Sequence, residues 1–145
     1  MKRKSWGRLL ALWLGLGLVV NFTWEMAQMS LYGNADVGWR HCFVASLEDV
    51  ALLGALYLVA ACAAQEWAWF ARFGPWRWLA LAANGALVAV LIEQRAMLAG
   101  TWSYAPGMPR LPLLGVGLVP VLQMTILPVG LAALSYLLWR GKPHE

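Results

Sequence analysis

Long apolar segments separated by short polar ones dominate the hydrophobic pattern of this chain. Four of them each reach the roughly 20 residues that a helix needs to cross the hydrocarbon core of a membrane. They lie near residues 9–31, 41–64, 77–99 and 113–139. The pattern predicts an all-α, integral membrane four-helix bundle that forms a single domain over residues 1–145. Pro120 and Pro128 interrupt the fourth segment, so we expect that helix to be kinked or irregular in its first part.

Polar side chains interrupt the first segment in the octapeptide Asn21-Phe22-Thr23-Trp24-Glu25-Met26-Ala27-Gln28. Asn21, Glu25 and Gln28 follow one another at i, i+4 and i+7, so a helix places them on one face, and Tyr32 continues this stripe. A carboxyl group at membrane depth costs about 2.5–3.5 kcal/mol on insertion scales. Either a packed polar network or a function must compensate for that cost. We favour a function, because a carboxylate is a poor choice for interhelical hydrogen bonding alone.

The second segment carries two polar stripes, and only one of them can point fully into a bundle. Cys42, Ser46 and Asp49 form one stripe at i, i+4 and i+7, whereas His41 and Glu48 lie on another face. We predict that the Asp49 stripe faces inward, because it reaches deeper into the segment.

The third and fourth segments each contribute one polar position of interest. Glu93 shares its helical face with small residues that allow close helix approach, so we expect it to face the bundle. The alternative for Glu93 is a salt bridge with Arg95. Gln123 lies between the two prolines, where it either binds a ligand or satisfies carbonyl groups that the prolines leave free.

The distribution of basic residues predicts the orientation in the membrane. Arg40 and Arg110 are the basic residues of one side, and eight basic residues lie on the other. Those eight are Lys2, Arg3, Lys4, Arg8, Arg72, Arg77, Arg140 and Lys142. By the positive-inside rule both termini are cytoplasmic, in a multi-pass protein of the cell membrane. The first segment has no convincing cleavage site, so we interpret it as a retained helix rather than a signal peptide. The net charge of +4 reflects this topology and does not indicate a nucleic-acid partner.

This topology places four polar side chains at similar depth, in the outer half of the membrane: Glu25, Asp49, Glu93 and Gln123. The loop 100–112 caps the same side, and its Trp102, Tyr104 and Arg110 could form a lid. The inner halves of the helices consist almost only of Leu, Ala, Val and Gly. We therefore predict a polar outer cavity above an apolar inner plug. Several of the ten tryptophans lie near helix ends, where an interfacial belt would place them: Trp39, Trp67, Trp69, Trp76, Trp78, Trp102 and Trp139.

Metal and cofactor sites are not indicated. Histidine, cysteine and carboxylates bind zinc and copper, but His41 and Cys42 are neighbours in sequence and point about 100° apart on a helix. The chain has no His-x-x-x-His or Cys-x-x-Cys spacing and no nucleotide-binding motif. We therefore predict neither a metal nor a cofactor.

The string Asn21-x-x-Trp24-Glu25 resembles the asparagine–aromatic–acid motif in the first helices of integral-membrane terpene cyclases of fungal meroterpenoid pathways. Those proteins use membrane-embedded acids to protonate an alkene or epoxide of a prenyl chain. The resemblance implies that Glu25 is the proton donor or a partner to it, with Asp49 or Glu93 as the second acid. It covers eight of the 145 residues, and those cyclases have more helices than this chain. The small-subunit lycopene cyclases of carotenoid pathways offer a looser similarity, since they are short, multi-helix and acid-dependent.

We therefore predict a cofactor-independent enzyme that cyclises or isomerises an isoprenoid lipid by acid/base chemistry. The predicted catalytic residues are Glu25, Asp49 and Glu93. The predicted substrate-binding residues are Asn21, Trp24, Gln28, Tyr32, Ser46, Trp102, Tyr104 and Gln123. Two alternatives stay open: a module that binds or transports a small molecule, lipid or proton, and a structural subunit of a membrane complex. The expected partners are a hydrophobic, lipid-like substrate and the membrane, with homo-oligomerisation left open.

Overall fold

The structure is a computed structural model that describes residues 6–33, 38–71 and 74–140, without the side chains of Trp6, Trp139 and Arg140. The long helices of this part are α1 (Trp6–Gln28), α2 (Trp39–Ala64), α3 (Pro75–Ala99) and α4 (Leu118–Arg140). Two short 3-10 helices, Met29–Leu31 and Trp69–Ala71, lie between them. All four long helices are long and apolar enough to cross a membrane. This confirms the all-α class, and the four candidate membrane-spanning helices fit the predicted multi-pass architecture.

Several basic residues that predict the orientation, and one tryptophan of the predicted interfacial belt, lie wholly or in their side chains outside the described residues. This applies to Lys2, Arg3, Lys4, Arg72 and Lys142, and to the side chains of Trp139 and Arg140.

Local chemistry accounts for the helix ends. Pro75 begins α3, where its missing N–H and fixed φ are no disadvantage. The same helix ends at Gly100, whose φ of 66° is easy only for glycine. Helix α4 begins at Leu118, five residues later than the predicted start, because the backbone turns at Leu113 (φ 70°) and Gly115 (φ 68°).

The helices pack unevenly. Helix α1 packs along α2, α3 packs along α4, and α1 also contacts α4, whereas α2 and α3 share few contacts. Gly85 marks the closest approach of α3 to α4, since a Cβ added there would lie 1.8 Å from the carbonyl oxygen of Met124. Pro128 lies four residues beyond Met124 and has no N–H to bond that carbonyl group. The bundle is thus tight between α3 and α4 and open between α2 and α3.

Aromatic residues fill the end of the bundle where α2 ends and α3 begins. The rings of Trp13 and Tyr57 lie 5.2 Å apart between centroids, and each lies 6.1 Å from Trp69. The Trp13 indole N–H donates to the carbonyl oxygen of Leu53 at 3.1 Å. Trp69 is only 3% exposed, so its side chain packs inside this end of the bundle and does not face outward. It is buried because the turn after α2 folds back under the bundle.

The opposite end is closed by the segment 101–117, which is attached to the end of α1. The Gly33 N–H donates to the Ser103 carbonyl oxygen at 2.8 Å, and the Ala105 N–H donates to that of Leu31 at 2.9 Å. A single β-bridge also pairs Tyr32 with Tyr104. These contacts hold the segment over the ends of the helices that carry the polar residues.

Candidate functional site

A cavity of about 330 Å³ lies beneath the segment 101–117. All four long helices and this segment contribute to its wall. Its polar lining residues are Glu25, Gln28, Tyr32, His41, Glu48, Asp49, Glu93, Thr101, Trp102 and Gln123. The three carboxyl groups predicted to be catalytic therefore reach one cavity from three helices. Its volume lies within the range of small-molecule sites.

Gln123 is the centre of a hydrogen-bonded group that we call the amide–carboxyl cluster: Asn21, Glu25, Gln28, Asp49 and Gln123. Its Nε2 lies 2.7 Å from Oδ2 of Asp49, 2.9 Å from Oδ1 of Asn21 and 3.1 Å from Oε1 of Glu25. An amide nitrogen has two hydrogens, so these three acceptors share them. Gln123 is 2% exposed and Asn21 fully buried, which keeps water from competing for these bonds.

The orientation of each amide in the cluster follows from its neighbours. Asn21 donates from Nδ2 to the Gly17 carbonyl oxygen at 2.7 Å, which turns its Oδ1 toward Gln123. Gln123 must then present its nitrogen there and its oxygen to Gln28, whose Nε2 donates to it at 3.1 Å. The Gln28 Nε2 also donates to Oε1 of Glu25 at 2.6 Å. One backbone carbonyl group therefore determines how three side-chain amides face the carboxyl groups.

Glu25 and Asp49 form a carboxyl pair inside this cluster. Both carboxyl groups accept from the same Gln123 nitrogen, at 3.1 Å for Glu25 and 2.7 Å for Asp49, so they lie close to each other. Two ionised carboxylates that share a site repel each other, and a proton on one of them removes this repulsion. The pair therefore resembles the shared-proton arrangement of two coupled acids.

Glu93 occupies a second polar region of the cavity, surrounded by three aromatic residues that we call the Glu93 cage: Tyr32, Trp102 and Tyr104. The Tyr104 hydroxyl donates to Oε2 of Glu93, and the Trp102 indole N–H lies 3.3 Å from the same oxygen. The Tyr32 hydroxyl lies 3.5 Å from Oε1, at the limit of a hydrogen bond. Among the described residues these are the partners of the Glu93 carboxyl group, and Arg95, the alternative partner, is exposed on another face.

Tyr104 connects the cage to the segment above it. Its hydroxyl accepts from the Gly117 N–H at 2.9 Å, and the Arg110 guanidinium lies 5.2 Å from its ring centroid. Burial, together with the hydrogen bond to Glu93, raises the pKa of Tyr104 above its ordinary value. Burial also raises the pKa of Tyr32, and the charge of Glu93 adds to this effect. Both phenols therefore stay protonated and act as donors.

Several predicted binding residues do not line this cavity. Ser46 is fully buried and donates its hydroxyl to the Cys42 carbonyl oxygen at 2.6 Å. Trp24 lies on a separate groove of α1, shared with Val119 and Leu127 of α4. Asn21 and Tyr104 do not line the cavity. Asn21 hydrogen-bonds to the lining residue Gln123, and Tyr104 hydrogen-bonds to the lining residue Glu93. Their places depend on how each helix is rotated, which the spacing of polar residues along one helix does not report.

Both polar stripes of α2 border the cavity. Cys42 and Ser46 are buried, as predicted for the inward stripe, and Asp49 bonds to Gln123. His41 and Glu48 are exposed, yet they also line the cavity at its rim. Only one stripe was expected to point inward. Both reach the cavity because the bundle is open beside α2, toward α3.

Sequence reasoning missed several lining residues. Met29, Thr101 and Met124 belong to the wall and carry no charge that would have marked them. The one feature of the sequence that could have indicated Met29 and Met124 is their position, since they directly follow the predicted site residues Gln28 and Gln123. Within the described residues, no group of three or more His, Cys, Asp or Glu side chains is arranged to hold a metal ion.

Comparisons of the chain with protein-family models, with curated proteins and with solved structures give no match. The function is therefore argued from the geometry and chemistry of the cavity.

Proposed function

We propose that this protein is a membrane-embedded enzyme that cyclises or isomerises an isoprenoid lipid by acid/base chemistry. The observation that carries the proposal is the convergence of two different acid environments on one cavity. Glu25 and Asp49 form a carboxyl pair on one wall that is joined through the Gln123 amide, and Glu93 lies in an aromatic cage on another. A proton donor and a proton acceptor with separate surroundings are what such a reaction needs.

The carboxyl pair is the proposed proton donor. The O–H bond of the protonated member breaks, its proton forms a C–H bond with one alkene carbon, and a carbocation forms at the other. The Gln123 amide, which already bonds both carboxyl groups, stabilises the negative charge left on the pair. Positioned proton transfer of this kind contributes about 10²–10⁴-fold to a rate.

The Glu93 cage is the proposed site of carbocation stabilisation and proton return. The rings of Tyr32 and Trp102 meet edge to face, with centroids 6.2 Å apart, and aromatic faces attract positive charge. In a cyclisation, the electron pair of a second double bond attacks the cation and forms the ring bond. Glu93 then accepts a proton from the carbon beside the new cation, and a double bond reforms. Atoms and charge balance, since one proton is taken up and one is released.

We also infer the orientation and a bend in α4 that go with this function. The excess of basic residues near both termini supports cytoplasmic ends and a cavity in the outer half of the cell membrane. Pro128 inside α4 supports a kink next to Met124, because it removes a helix hydrogen bond at that carbonyl group. The kink would open α4 where Gly85 approaches it.

The test is product formation in cells supplied with prenyl alcohols and prenyl epoxides. We expect Glu25→Gln and Asp49→Asn each to lower turnover by about 100-fold or more, in line with the loss of a general acid. Glu48→Gln is the matched control, because Glu48 lines the same cavity at its exposed rim without joining the cluster. Retained turnover in both cluster variants would rule out the acid mechanism.

A second candidate function is binding or transport of a small cation. Four carboxylate-bearing residues line the cavity, and the described lining contains no lysine or arginine. Such a lining attracts positive charge. Uptake of an organic cation into vesicles that is lost in Glu93→Gln, without any product from prenyl substrates, would favour this function over chemistry.

A further inference from the structure

We propose that the gap between α2 and α3 is a lipid groove, through which a linear hydrocarbon chain enters sideways from the membrane. The reactive end of the chain would lie among the carboxyl groups, and the rest of it would lie along α2. This inference rests on the proposed function and names its substrate class, a long linear lipid dissolved in the bilayer rather than a water-soluble compound.

The gap itself is the first observation. Helices α2 and α3 follow each other in sequence, yet they share few contacts, while each packs closely on its other neighbour. Residues that reach the cavity from the rim, such as Val44 and Glu48, are exposed. The cavity wall is therefore incomplete on this one side.

The gap continues beyond the acid cavity as a second trough of about 280 Å³ between the same two helices. Its lining is Leu56, Val59, Ala60, Ala63, Ala64, Ala80, Leu81 and Asn84, with Trp69 and Arg77 at its far end. The acid cavity reaches Leu52 on α2 and Ala89 on α3. Leu52 lies one helical turn from Leu56, and Ala89 about two turns from Leu81, so both cavities use the same helix faces.

Together the two cavities extend along most of α2. From Val44 to Ala64 the two cavities follow α2 for a length of about 30 Å at 1.5 Å per residue. This is about the thickness of the hydrocarbon core. The far end is closed where an Arg77 guanidinium nitrogen lies 3.4 Å from the Trp69 carbonyl oxygen. The groove is therefore open to the side and closed at its end.

Its chemistry favours a hydrocarbon chain over a second copy of this protein. The small side chains of Ala60, Ala63 and Ala80 leave a recess between α2 and α3, because the two helices do not pack closely on each other here. A helix with its side chains is about 10–12 Å wide, so a helix of a second copy would bridge this recess and not enter it. A flexible hydrocarbon chain can enter the recess between Ala60 and Ala80.

Two photoreactive probes test the groove on the full-length protein in lipid vesicles. One is a linear long-chain alcohol with a diazirine at the end of its chain, and the other carries the diazirine beside the hydroxyl group. After irradiation, mass spectrometry locates the labelled residues. We expect the chain-end probe to label 56–64 and 80–84, and the hydroxyl-end probe to label residues around the acid cavity. An excess of the unlabelled alcohol should abolish both labels.

Variants separate this inference from the proposed chemistry. Ala60→Trp should fill the trough and lower chain-end labelling at least tenfold, and Ala63→Phe provides a second, smaller obstruction. Ala55→Trp is the matched control, because Ala55 is an exposed alanine of the same helix outside the groove. Glu25→Gln should keep the chain-end label, since it blocks proton transfer and not entry.

Three results would overturn the groove. The first is chain-end labelling spread evenly over the lipid-facing helices. The second is equal labelling in Ala60→Trp and Ala55→Trp, with both variants eluting as the wild type does. The third is a cross-link between two copies through residues 56–64. Failed turnover with intact groove labelling would instead count against the acid chemistry alone.

Discussion

Replacing Gly85 with alanine is expected to force α3 and α4 apart. The added methyl carbon would lie 1.8 Å from the Met124 carbonyl oxygen and 2.9 Å from its carbonyl carbon. Ordinary van der Waals contact begins near 3.4 Å, so one helix must retreat by about 1.6 Å. The obstacle is backbone, which cannot rotate away as the end of a side chain can.

The expected loss of stability combines two effects of opposite sign. Overpacking of this kind costs about 1–3 kcal/mol, and a backbone contact belongs at the upper end of that range. Alanine regains about 1 kcal/mol over glycine through its helix propensity. We therefore expect a net loss of about 2 kcal/mol, which lowers the melting temperature by about 4–8 °C for a chain of this size.

The displacement of the helices in Gly85→Ala should also move side chains of the candidate site. Gln123 is the residue before Met124 and bonds both carboxyl groups of the pair at 2.7 and 3.1 Å. Misplacing a catalytic arrangement by about 1 Å can cost about 100-fold in rate. Activity should therefore fall by more than the population of unfolded protein accounts for.

The assay is thermal unfolding in detergent, together with turnover of a prenyl substrate, for Gly85→Ala and a matched control. Gly130→Ala is that control, because Gly130 lies on α4 and a Cβ there meets nothing within 4 Å. The control should melt at or slightly above the wild-type temperature. If the two variants melt within 1 °C of each other, the close approach of α3 to Met124 is refuted.

Three further predictions concern single contacts. Gln123→Leu should lower the melting temperature and the turnover together. It leaves two buried carboxyl groups without their shared donor, and the loss of such a hydrogen bond costs about 1–3 kcal/mol of stability. An unchanged melting temperature would contradict the amide–carboxyl cluster. Tyr104→Phe should flatten the alkaline part of the stability profile, measured by urea unfolding at each pH. Because the pKa of Tyr104 is raised in the folded state, its contribution is complete below the unfolded pKa of about 10 and is lost as pH rises above it. Trp13→Phe should destabilise the protein more than Trp69→Phe does. The Trp13 indole N–H has a hydrogen-bond partner, whereas the buried Trp69 N–H has none among the described residues. The reverse order of melting temperatures would contradict this.

The helices could be predicted from the sequence because length and apolar composition are local properties. Each predicted segment contains a helix, and seven of the eight predicted helix ends lie within three residues of the observed ones. The exception is the start of α4. Residues 113–117 are as apolar as a helix, but two left-handed residues and the pairing of Arg110 with Gly117 keep them irregular.

Part of the candidate site could be predicted in the same way. Glu25, Asp49, Glu93 and Gln123 share a depth because their distances from the helix ends are similar, and depth follows from counting residues. Their partners could not be predicted. That Asn21 orients Gln123, or that Tyr104 bonds Glu93, depends on the rotation of one helix against another.

The sequence by itself determined that the long helices are apolar enough to cross a membrane. It also determined how many of them there are and how far along its helix each carboxyl group lies. Each of these follows from hydrophobicity summed along one segment. Only the tertiary structure decided which acids share an amide donor, which acid faces aromatic rings, and where the bundle stays open. Those properties depend on close approaches between segments, such as Gly85 against Met124, whose geometry no single segment contains.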